Sequence, residues 1–483
     1  MSTPVPRLQP LSRGRLARTF THVAFATFLF LTLATPSWRV GPFTWLPVVR
    51  LPMLGGRPAD LGLLSLLPGL VVAGWVVVRV RERSYRAFQW GKPGIGLPLM
   101  GLTVLVLAGL DRALTWRTAV QVVGLGLFWL TYLFMLTERP RLTIPLALVV
   151  LVQGTVAMGQ FLCQRDLGLA FLGEMALDPA VSGISVLWAR DRRWLRGYGL
   201  TAHPNTLGAM LAVLLLLLLP ALWGAWGWRR AARKTPPGRR LELGGAVALM
   251  IVVSVGLVGL LASFSRASWL AFGAGVCTWV IGAGWGKLWA ARRKGEEHRG
   301  TRSLAVRLPV QLVIPLLFAA LFLVMYRDLV VSRFVGLDTP IEARSLNDRR
   351  RDAELALELA AGHPWRGVGA GNYLPAVREV TLDSRPVHSV PLLVAAELGV
   401  PGAALWVWVM VAGLWAAGMT AIPGASMKSG GRPPAIVEGC PMALGTWLAI
   451  LMLGMFDVSL WVTTSWRAAI LFAILAAHVS RSE

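Results

Sequence analysis

Long apolar runs, interrupted by short polar ones, dominate the chain from end to end. LAVLLLLLLPALWGAW is the most extreme. A helix needs roughly 20 apolar residues to cross about 30 Å of hydrocarbon. Such runs predict twelve membrane helices near residues 20–35, 61–78, 94–110, 118–136, 142–161, 201–222, 244–262, 267–286, 308–326, 388–417, 441–457 and 468–480. Backbone polar groups in lipid must be satisfied inside the segment, so each run is read as a helix. The expected fold is all-α, one transmembrane domain over 1–483. Two polar intervals are long, 162–200 and 327–387, and the second carries IEARSLNDRRRDAELALELAAGHPW. That stretch predicts an amphipathic helix ending at Gly362 and Pro364.

Composition agrees with a membrane protein. Of 483 residues, 55% are hydrophobic and 15% charged, and the mean hydropathy is +0.61. A soluble domain carries about 25% charged residues. The formal net charge of +24 would fit a nucleic-acid partner, but these cations lie between lipid-soluble runs, so the expected partner is a bilayer and no nucleic acid. With the N-terminus placed inside, alternate assignment puts 27 Lys and Arg against 7 acids in the cytoplasm, and 21 against 17 outside. This is the positive-inside pattern. Both termini are expected in the cytoplasm, with 162–200 and 327–387 facing out. The first apolar run follows four Arg and lacks a small-residue cleavage site, so it is read as a retained helix. Cys163, Cys277 and Cys440 form no CxxC pair, which gives no sign of a disulfide framework, metal cluster or redox centre.

Arginines retained outside, against the topological bias, need another explanation. The first group is Arg196-Gly-Tyr-Gly-Leu-Thr-Ala-His203-Pro-Asn205, at the outer entrance of the sixth span. It reads either as an interfacial anchor and helix start, or as a guanidinium fork gripping phosphate. The second is Ser263-Phe-Ser-Arg266-Ala-Ser268 between spans seven and eight. A cation at membrane depth is a functional candidate by default, and snorkelling is the alternative. The third comprises Arg349, Arg350 and Arg351, followed by His363-Pro-Trp-Arg-Gly-Val-Gly-Ala-Gly-Asn-Tyr373. Its glycines predict a tight loop approached closely by something else, and no strand precedes it, so a nucleotide fold is not implied. The fourth is His388 with Glu397, which stand two and a half helical turns apart and so on opposite faces. His388 is the residue type of a general base; Glu397 equally suits helix packing or a cap. No Asp-x-Asp, HExxH, Walker lysine loop or Gly-x-Ser-x-Gly motif occurs, so no metal and no cofactor is expected.

Together, RGYGLTAHPN, SFSRAS, the basic helix leading into GHPWRGVGAGNY, and HSVPLLVAAELGVPG resemble the O-antigen ligase and O-antigen polymerase superfamily of bacterial envelope glycosyltransferases. The likeness spans about Arg196 to Gly402. It implies transfer of a glycan from undecaprenyl diphosphate to an acceptor hydroxyl at the outer face of the bacterial cytoplasmic membrane. It also implies that Arg196, Arg266, Arg349 and Arg350 hold the diphosphate and that His388 deprotonates the acceptor, with His203, Asn205 and Glu397 in support. Ser389 stands where the family usually has Asn. The acceptor could be a lipid, a protein or another glycan, so ligase, polymerase and protein O-oligosaccharyltransferase all remain open, with ligase favoured. A secondary transporter or flippase is the reading from a different class, but the polar load gathers at the outer surface and the two halves are dissimilar, unlike transporters built from repeats with midplane sites.

Overall fold

The computed structural model describes residues 13–34, 63–81, 88–110, 116–189, 192–231, 239–293, 310–335, 340–381, 386–421, 441–458, 461 and 466–480. Several connections, including 232–238, 294–309 and 422–440 with Cys440, lie outside the described residues. Every one of the twelve expected runs coincides with a helix. In chain order these are α1 (Arg13–Ala34), α2 (Leu63–Arg81), α3 (Pro93–Ala108), α4 (Trp116–Glu138), α5 (Thr143–Cys163), α6 (Pro204–Ala231), α7 (Arg239–Ala262) and α8 (Arg266–Arg293). They continue with α9 (Val310–Met325), α10 (Arg327–Val335), α11 (Pro340–Gly362), α12 (Tyr373–Val380), α13 (Val390–Ala421), α14 (Pro441–Phe456) and α15 (Trp466–Ser480).

Among the described residues, six helices are by themselves long and apolar enough to cross a membrane: α1, α4, α5, α6, α7 and α13. Helices α3, α14 and α15 are apolar but shorter, and α9 passes only together with α10, across a bend of 78° at Tyr326. Several helices overrun their apolar runs. Helix α6 extends to Ala231 and α8 to Arg293, because hydrogen bonding, not hydropathy, sets where a helix stops. The all-α expectation also needs one amendment. The interval 162–200 folds a 3₁₀ turn, Ala170–Leu172, and an antiparallel hairpin of β1 (Val186–Ala189) with β2 (Arg192–Leu195), Leu187 facing Trp194. Its strands VLWA and RRWL carry the Val, Trp and Leu that suit a short hairpin.

Helix α6 forms the axis of the bundle. Every residue from Leu207 to Leu219 is buried, which suits a helix apolar on all faces. Helix α9 has the same character but shows Leu317, Phe318, Leu321 and Val324 at its surface. Helices α5 and α7 pack closely at Gly154 and Gly259, where an added Cβ on Gly259 would sit 2.8 Å from the Gly154 Cα. Small residues of this kind let membrane helices approach.

Candidate functional site

The RGYGLT segment is carried by side chains inside the bundle. Gln153 and Gln160 lie seven residues apart on α5, and so on one face. The Gln160 Oε1 accepts the amides of Tyr198 (3.0 Å) and Gly199 (2.8 Å), while its Nε2 donates to Glu174 (2.7 Å) and to the Gly199 carbonyl. The Gln153 Oε1 accepts the Leu200 amide at 2.8 Å, and its Nε2 donates to the Ala34 carbonyl at the end of α1. Arg467, buried at the start of α15, donates to the Leu200 carbonyl at 2.9 Å. Sequence reading missed all three. The signal was two glutamines at heptad spacing inside an apolar span, where polar side chains are expensive and seldom idle.

With the backbone so held, Arg196 joins three elements. Its Nε donates to the Ser263 carbonyl (2.8 Å), one Nη to the Ser185 hydroxyl (2.8 Å) and the other to the Asn205 Oδ1 (2.7 Å). The side chain therefore ties the hairpin and the α7–α8 corner to the start of α6. That corner is tight: Ser268 and Ser265 hydroxyls lie 2.8 Å apart, Phe264 takes a left-handed φ of 46°, and Gly208 on α6 leaves room for it. Arg266 opens α8 and donates to the Arg333 carbonyl near the end of α10 at 2.9 Å.

His203 stands just before α6, outside the span. The Asn205 amide donates to its Nδ1 at 3.2 Å. A nitrogen that accepts an amide proton carries none, so the ring is neutral with its proton on Nε2. The ring keeps solvent access, yet surrounding protein and the charges of Arg196, His388 and Arg349 push its pKa down to about 3. Arg196, after β2, is tied to the ring through Asn205, and the charges of Arg349 on α11 and His388 just before α13 act on the same ring.

The neighbouring candidates go elsewhere. Arg350 is exposed and ion-paired with Glu354 one turn on, at 2.9 Å. Arg351 is exposed and donates to the Thr381 hydroxyl. Of the three consecutive arginines, only Arg349 acts on His203. Glu397 is buried where α13 breaks. At Gly399 the backbone leaves helical geometry (φ 68°, ψ −169°), and Pro401 has no amide to offer the Glu397 carbonyl. The glycine loop repairs this break. The Val368 amide donates to the Ala396 carbonyl (2.9 Å), Gly369 to Glu397 (3.0 Å), and Val400 in turn to Pro364 (2.7 Å). The group that approaches the glycines is thus the chain's own broken helix. Gln121 of α4 joins it, donating to the Ala370 carbonyl at 2.7 Å.

Among the described residues, no group of three or more His, Cys, Asp or Glu stands together as a metal site would require. What stands instead is guanidinium and imidazole at one end of an apolar helical bundle. Residues 251–407 match the family model described as O-antigen ligase, which supports the likeness to the O-antigen ligase superfamily. The matched stretch holds Arg266, Arg349, Arg350, His388 and Glu397, and stops short of Arg196, His203 and Asn205. No curated protein matches the chain.

Proposed function

We propose that this protein transfers a glycan from undecaprenyl diphosphate to an acceptor hydroxyl at the outer face of the bacterial cytoplasmic membrane. The acceptor we favour is that of a ligase, a lipid-anchored glycan. The observation that carries the reading is the chain of hydrogen bonds from Arg196 through Asn205 to a neutral His203, a ring on which the charges of Arg349 and His388 also act. The charge pattern supports the orientation: the bases that record insertion lie on the opposite side from this cluster.

In this reaction His388 takes the proton of the acceptor hydroxyl. The freed oxygen attacks the anomeric carbon with inversion, and the bond from that carbon to the diphosphate oxygen breaks. Its electron pair leaves on undecaprenyl diphosphate. Arg349 neutralises the charge that develops there, which a planar donor fork does without metal. Arg196 is already engaged by Ser263, Ser185 and Asn205, so its role is to fix the hairpin, the α7–α8 corner and the start of α6 and to lend its field. His203 offers its Nε2 proton to a phosphate oxygen. Arg266, bonded to the Arg333 carbonyl, sets the α8–α10 wall, and Glu397 holds the break in α13. Arg350, turned to solvent, is set aside from the diphosphate.

The test supplies purified protein with undecaprenyl-diphosphate-linked glycan and candidate acceptors, and assays the released lipid diphosphate. Release that depends on His388 and on an acceptor supports the proposal. Intact linkage with net movement of the lipid across a bilayer would point to a flippase.

A further inference from the structure

At the other end of the bundle, a second cluster of cations borders an open groove between α1 and α5. Its volume is about 820 Å³. Glu138, buried at the end of α4, is the hub. It pairs with Arg18 (3.1 Å), His22 (3.6 Å) and Arg79, and accepts the indole N–H of Trp75 at 3.0 Å. The tight connection Arg139-Pro140-Arg141 then turns the chain into α5, with Arg139 in a left-handed φ of 49°. Arg18, Arg139 and Arg141 all border the groove, against the one carboxylate of Glu138. The lining is therefore positively charged at this end, where both Arg139 and Arg141 are exposed.

Apart from Thr19, His22 and Thr27, the rest of the groove is apolar. Val23 and Phe30 on α1 face Ile144 and Leu148 on α5, and Val23, Ile144 and Leu148 are exposed. From Arg18 to Phe30 the helix rises about 18 Å, a little more than the roughly 15 Å of one leaflet's hydrocarbon. The groove thus joins a cationic mouth to a greasy channel one acyl chain long. A free phosphate would use only the mouth.

We propose that this groove binds an acidic glycerophospholipid from the leaflet that bathes the start of α1. The phosphate rests on Arg18, Arg139 and Arg141, and one acyl chain lies between α1 and α5. In the orientation given above, this is the cytoplasmic leaflet. The site is remote in sequence from His203 and independent of the glycan-transfer reading.

The experiment is native mass spectrometry of the full chain released from detergent. The probes are phosphatidylglycerol and phosphatidylcholine with matched acyl chains, and glycerol 3-phosphate as the soluble arm. The wild type should retain phosphatidylglycerol in preference to phosphatidylcholine, with glycerol 3-phosphate unable to displace it. R139Q/R141Q should weaken retention roughly thirty-fold, from two lost cationic contacts. Equal retention of the two lipids by the wild type overturns the proposal, as does an unchanged preference in R139Q/R141Q. Displacement by glycerol 3-phosphate would assign the mouth to a soluble anion and overturn it too. Should the double variant fail to insert, the wild-type comparison and R141Q alone decide the matter.

Discussion

The carbonyl oxygen of Glu397 accepts the amide of Gly369 at 3.0 Å, the hydrogen bond that Pro401 is unable to give it. Through this bond and its two neighbours, the glycine loop that follows α11 is stitched to the broken helix that begins beside His388. Arg349 and His388 come from these two elements, so the stitch sets how they meet.

Gly367 sits at φ 62°, and a Cβ there would run into the backbone of Glu397. Gly367→Ala should cost about 1–3 kcal/mol and lower transfer, read as thermal unfolding in detergent alongside the release assay. Gly362, with nothing within 4 Å of its added Cβ, is the control, and Gly362→Ala should stay within about 0.5 kcal/mol. Equal effects at both positions would remove the stitch as the cause.

Arg349 and Arg350 are neighbours in sequence and opposites in placement. Arg349→Lys keeps the charge and loses the fork, so it should reduce transfer by an order of magnitude or more, about 1.4 kcal/mol per decade. Arg350→Lys breaks only an exposed pair with Glu354, worth roughly 0–1 kcal/mol, and should leave transfer near the wild-type rate. A variant pair ranked the other way refutes this assignment.

His388→Ala should lower transfer about 10²–10⁴-fold, the contribution of one positioned base, while the protein inserts and unfolds as the wild type does. Near-normal release from the variant would remove His388 as the base.

His203 is held neutral, with its pKa near 3 against an ordinary 6.5. The unfolded chain binds this proton more readily than the folded one. The stability this residue contributes is therefore complete above about pH 6.5 and declines as pH falls toward 3. His203→Gln should flatten that part of the stability profile, while between pH 7 and 8 the pH dependence of transfer stays where it was. A shift of the transfer profile in that range would show that His203 titrates in the reaction.

Gln160 carries two backbone amides of the RGYGLT segment. Gln160→Leu leaves both buried and unbonded, at a cost of roughly 2 kcal/mol or more. The transition temperature should drop and hydrogen exchange at Tyr198 and Gly199 should quicken; unchanged exchange would mean the segment is held by other bonds.

The sequence by itself determined the helices. Twelve apolar runs became helices because a buried backbone must satisfy its own hydrogen bonds, and this requirement acts locally. It also singled out the arginine and histidine motifs, since a charge left among apolar residues is conspicuous in one dimension. Three things were decided only in the folded chain. Hydropathy does not distinguish the stretch Leu207–Leu219 of α6, buried at every residue, from α9, whose equally apolar side chains reach the surface, because burial depends on neighbours from distant segments. Three consecutive arginines look alike in sequence, yet helix geometry turns Arg349 toward His203 and its neighbours to solvent. The glutamines of α5 and the break at Gly399 acquire meaning only from the backbone that lies against them: a hydrogen bond between remote segments leaves no periodic trace along the chain.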